Sequence, residues 1–110
     1  MITQAEFGIF QASQQLANDI KRAVFTVEEK IISLKVIQQT QPLSVHNHTH
    51  LSILEDVLNR LKKMFESVTI THELMSQNIR EIDISDADID MLSIVFAQQR
   101  NKLDTLMSMI

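Results

Sequence analysis

Cysteine, tryptophan and tyrosine are all missing from this chain of 110 residues, and glycine and proline occur once each. Without cysteine there is no disulfide, no thiolate zinc site and no cysteine nucleophile, and nothing to report the redox state of a compartment. A single glycine and a single proline leave almost no material for tight turns. That excludes sandwiches, barrels and βαβ repeats, which all need them often. An excess of positive charge is missing too: ten Lys and Arg stand against fourteen Asp and Glu, a net charge of −4. The densest basic groups, Lys21-Arg22 and Arg60 with Lys62-Lys63, have acidic neighbours. Such a surface does not release counterions from phosphates as a nucleic-acid binder must, so nucleic acid is not the expected partner.

Long apolar runs are also absent. The longest, Ile94 to Ala97, falls far short of a membrane span. The first basic residue is Lys21, and no apolar stretch precedes a small-residue cleavage site, so no secretory signal is read. The expectation is a cytoplasmic protein, with export by a machine that cleaves no signal giving the same pattern.

What is present is patterned hydrophobicity. Apolar residues make up 45% of the chain and charged ones 22%, enough to bury the core of one domain. Pro42, within Thr40-Gln41-Pro42-Leu43-Ser44, cannot donate a backbone hydrogen bond and disfavours helix at Gln41, so a helix should end near Gln39. A second break is expected near Ile82 to Ser85, where Asp83 and Ser85 are good N-caps. Three helices follow, over about residues 4–39, 49–80 and 86–109.

In the first, Thr3 and Glu6 have capping-box spacing. Phe10, Ala17, Val24 and Ile31 recur every seven residues, Ile20, Val27 and Leu34 fill the alternate heptad positions, and Ile9, Leu16, Ala23 and Ile37 widen the stripe. The second has the cleaner signal: Leu51, Leu54, Leu58, Leu61, Phe65, Val68, His72, Met75 and Ile79 alternate steps of three and four, with Val57 and Met64 beside the seam. That periodicity outweighs the strand preference of Val68-Thr69-Ile70-Thr71. In the third, Ile89, Leu92, Phe96, Gln99, Leu103, Leu106 and Ile110 repeat the step in a new phase. At 1.5 Å per residue the helices would be ~55, ~48 and ~36 Å long. The expected fold is all-α: an elongated antiparallel three-helix bundle, or a long helical hairpin plus a third helix, with coiled-coil-like packing.

Four features could carry chemistry or binding. His46, His48 and His50 form an H-x-H-x-H run that, in an extended loop, would project alternate imidazoles the same way toward a zinc, nickel or copper ion. The plain alternative is a solvated loop leading into an N-cap at Asn47 or Thr49. Asp86, Asp88 and Asp90 suggest a calcium loop, but the EF-hand glycine is Met91 and its glutamate is Ala97, so the template fails and a carboxylate-rich first helical turn explains the run. His72, Ser13 and Gln99 interrupt three apolar seams and could hydrogen-bond one another in one layer of a bundle. The ending Leu103 to Ile110, rich in adaptable methionine, either packs on its own bundle or meets a partner.

Signatures of catalysis are otherwise lacking: there is no G-x-S-x-G, no H-E-x-x-H, no glycine-rich phosphate loop and no phosphotransfer histidine motif. No cofactor is expected, and the enzyme reading is the minor one. The leading expectation is a non-enzymatic protein–protein interaction module, an adaptor, small chaperone or self-assembling subunit of a bacterial secretion, phage or regulatory assembly, with a homodimer favoured. Leu54, Leu58, Leu61, Phe65 and Val68 are the candidates for the core or dimer seam, and Leu103, Leu106, Met107 and Ile110 for the partner-facing surface. The alternative is a metal- or pH-responsive regulator using His46, His48 and His50.

Overall fold

The computed structural model describes residues 4–81 and 85–110, with the side chains of 78–81 excepted. The chain forms three α-helices, α1 (Gln4–Thr40), α2 (Val45–Glu81) and α3 (Asp86–Ser108), in a body of 60 × 20 × 16 Å. It is an elongated all-α bundle with no strand among the described residues. None of its helices is long and apolar enough to cross a membrane.

Cross-helix bonds fix the directions. Lys35 pairs with Glu55, Glu28 with Lys62, and Ser13 meets His72, so α2 runs antiparallel to α1. Arg100 bonds Asp19, while Phe96 and Leu16 border one groove, so α3 runs parallel to α1. Counting along α3 from Arg100, its last turn lies level with about Val27, and the rest of α1 has only α2 beside it.

The first link forms as the proline demands. α1 closes with Gln41 N–H donating to the Ile37 carbonyl, and the chain leaves helical geometry before Pro42. Leu43 is buried, so the link is pinned onto the core. α2 then starts at Val45, four residues before the expected start at Thr49. The reason is Ser44: its hydroxyl accepts from Asn47 N–H at 3.1 Å and its carbonyl from His48 N–H at 2.9 Å, satisfying donors that a helix start leaves open. Thr49 is inside the helix, its hydroxyl bonded back to the Val45 carbonyl. α3 opens on Ser85, whose side chain accepts from Asp88 N–H, as its sequence position predicts. The other expected caps, Thr3 and Asp83, lie outside the described residues.

The core differs in detail from the heptad expectation. Along α1 the buried line is Glu6, Ile9, Ser13, Leu16, Ile20, Ala23 and Val27, steps of three and four without a gap. Ile20, Val27 and Ile31 of the expected heptad are buried, as are Ile9, Leu16 and Ala23 from the widened stripe, whereas Phe10, Ala17, Val24 and Leu34 are partly buried along one side. On α2 the deepest residues are Leu51, Leu54, Val57, Leu61, Met64, Val68 and Met75, with Leu58 and Phe65 partly buried beside them. The physical reason is that each long helix touches two neighbours. It therefore needs two apolar flanks, and the line between them becomes the deepest, whatever its residues.

Candidate functional site

The residues expected to form a seam or partner surface are drawn into the chain's own core. Leu54, Leu61 and Val68 on α2, and Leu103 and Leu106 on α3, are buried in the single chain. Leu58, Phe65, Met107 and Ile110 pack against that core, partly exposed.

The histidine run sits on a helix rather than in an extended loop. Residues two apart on a helix point about 200° apart, so His48 is turned away from the other two. His46 and His50, one turn apart, lie with parallel rings 6.4 Å between centroids. The three imidazoles therefore do not converge, and no group of three or more His, Asp or Glu among the described residues could hold a metal ion. Asp86 and Asp88 lie in the first turn of α3, where they complement the positive end of its dipole.

Two of the three seam-breaking polar residues do meet. The Ser13 hydroxyl donates to the Phe10 carbonyl at 2.8 Å, and its oxygen lies 2.6 Å from His72 Nδ1. The Phe10 ring lies against the same imidazole, 4.4 Å between centroids. A serine nucleophile must be open to substrate, whereas Ser13 is 0% exposed. The pair is a polar clasp between α1 and α2. Gln99 is not bonded into it; its Oε1 is buried without a hydrogen-bond partner.

A second polar contact ties α3 to α1. Arg100 Nη1 donates to Asp19 Oδ2 at 2.7 Å, and Gln15 Nε2 donates to Oδ1 at 3.1 Å. The Arg100 hydrogen bond is the main cause that holds the Asp19 carboxyl below its ordinary pKa; the charges of Arg100 and Arg22 and the Gln15 bond add to it, against a smaller upward push from burial. This pair closes one end of a groove between α1 and α3 lined by Ile9, Ala12, Leu16, Phe96 and Ala97. Arg100 is the single titratable group on that lining and is committed to Asp19, so the groove offers no free acid or base.

The outward face of α1 is the feature that the heptad reading missed. Phe25, Ile32 and Val36 are 63%, 60% and 55% exposed and stand seven and four residues apart, on one face of the helix. Lys21, Arg22 and Glu29 are exposed on the same face, and a shallow depression beside Phe25 is bordered by Asn18, Lys21, Arg22 and Thr26. The signal was in the sequence, as a second period of three and four outside the first, but the stronger inner stripe masked it.

No known protein family, curated protein or solved structure matches the chain.

Proposed function

We propose that this protein is a non-enzymatic helical protein–protein interaction module, acting as an adaptor, small chaperone or assembly subunit. The observation that carries this reading is the apolar row Phe25, Ile32 and Val36 on the outside of α1, which stands exposed among the described residues. Exposed phenylalanine and isoleucine cost solubility and return nothing to a monomer whose core is already closed, whereas apolar surface left in a row usually marks an interface. The shape fits the same reading. A 60 Å rod with a continuous helix along one side offers a long surface to a partner.

The test compares wild type with a variant carrying Phe25→Ser, Ile32→Ser and Val36→Ser together. Both should have the same helical circular dichroism. Wild type should associate, with itself in light scattering or with a specific protein recovered from its native cell, and the variant should lose that association. If wild type is monomeric and both proteins recover the same set of proteins, the reading is overturned.

A further inference from the structure

The charges around Phe25 have a symmetry that specifies a partner. Lys21 and Arg22 come one turn before it and Glu28 and Glu29 one turn after, in the run Lys21-Arg22-Ala23-Val24-Phe25-Thr26-Val27-Glu28-Glu29. At 3.6 residues per turn, Lys21 and Glu28 fall on one side of Phe25, and Arg22 and Glu29 on the other. The two-fold axis of a face-to-face antiparallel pair passes between the two Phe25 residues, perpendicular to the helices and to the line joining them, so it exchanges ends and keeps side. It brings Lys21 of one copy onto Glu28 of the other, and Arg22 onto Glu29, each twice. A run of charge that is antisymmetric about an exposed aromatic residue is complementary to itself, the requirement of an isologous interface.

We propose that two copies of this chain associate antiparallel through the outward face of α1, crossing at Phe25. This deepens the interaction reading above by naming a second copy as the partner. Parallel pairing in register would set Lys21 on Arg22 and Glu28 on Glu29, so the charges select the antiparallel form. In that form Ile32 and Val36 lie over the stems of Asn18 and Gln14 of the other copy, on the same outward face. Glu28 already bonds Lys62 of its own chain at 3.7 Å, leaving Arg22 and Glu29, both exposed, as the pair to test. Because the new ion pairs lie at a solvent-exposed rim, the dimer should weaken as salt is raised.

The experiment uses charge exchange. Arg22→Glu alone and Glu29→Arg alone each replace two attractions per dimer with two repulsions, and should weaken association about tenfold. The double variant, carrying both changes in one chain, should restore it. Helical circular dichroism checks that each variant folds. The absence of native cysteine supplies a second readout. Helices packed about 10 Å apart place on-axis Cα atoms about 5 Å apart, within disulfide range, so Phe25→Cys should cross-link to itself on mild oxidation, and more slowly when Arg22→Glu is added.

Concentration-dependent dimers with charge rescue and charge-sensitive cross-linking support the proposal. Dimers that ignore both charges, or cross-linking equally fast with and without Arg22→Glu, overturn this surface while leaving the interaction reading standing. A monomer at every concentration overturns the second copy as partner, and the reading above then rests on its own test with proteins of the native cell.

Discussion

Two lengths of α1 live under different conditions. From Glu6 to Val27 the helix packs against both α2 and α3, and its inner line is buried without a gap. Beyond the level where α3 ends, only α2 lies beside it, and Ile31 is the last residue of α1 to be buried. The first length shows what a three-helix section demands: two apolar flanks and a deep line so enclosed that even Ser13 and Glu6 are taken in. The second shows what a two-helix section demands, a single covered face. Ile32 and Val36, on the opposite side, meet neither demand.

The largest effect should come from placing the same charge in each length. Ile20 is completely buried, and Ile20→Asp leaves an unpaired charge in the core, at a cost of about 4 kcal/mol or more. Val36→Asp adds a charge to an exposed face and should stay within about 0.5 kcal/mol. Urea titration followed by circular dichroism measures both, and similar midpoints would erase the distinction between the two lengths.

A smaller effect sharpens the account of the polar clasp in the three-helix section. Ser13→Ala removes the hydroxyl partner of His72 Nδ1 and should cost about 1–2 kcal/mol. Adding His72→Leu should recover most of that loss, because a polar group left without a partner is worse than none. Costs that simply add in the double variant would mean the two residues do not act as a pair.

The smallest effect concerns the attachment of α3. The Asp19 pKa is lower in the folded chain than in an unfolded one, so the Arg100 contact stabilises the fold above the ordinary carboxylate pKa and is lost as pH falls through the depressed folded value. Arg100→Met should therefore cost at most about 1 kcal/mol near neutral pH, and the two proteins should converge in acid. Melting curves across pH decide it, and a difference that persists into strong acid would assign the loss to packing of the arginine stem rather than to charge.

Much of this fold was legible in the sequence. The link at Pro42, the cap at Ser85 and three helices in antiparallel order follow from proline chemistry, N-capping and apolar period. The α1 seam followed only in part. Ile20, Val27 and Ile31 of its heptad are buried, but Phe10, Ala17 and Val24, the most regular apolar row, form one flank, because the deepest line passes through polar Ser13, which no hydrophobic pattern selects. Leu58 and Phe65 were displaced from the α2 seam by Val57 and Met64 for the same reason. The start of α2 was missed because Ser44 follows proline and reads as turn until its side chain is seen capping Asn47. The histidines therefore read as part of a loop, where a metal site could be considered, whereas on a helix neighbours two residues apart are turned about 200° from each other.

The buried link at Leu43 has a consequence in time as well as in space. Of the cross-helix contacts, Lys35 with Glu55 closes the shortest loop, Ser13 with His72 spans 59 residues, and Arg100 with Asp19 spans 81. Closing short loops costs the least entropy, so the hairpin should zip from the link outward and α3 should dock last. The two-helix end, poorest in native cover, is then the first to form. Changes at Leu43 should slow folding, and changes on α3 should hasten unfolding.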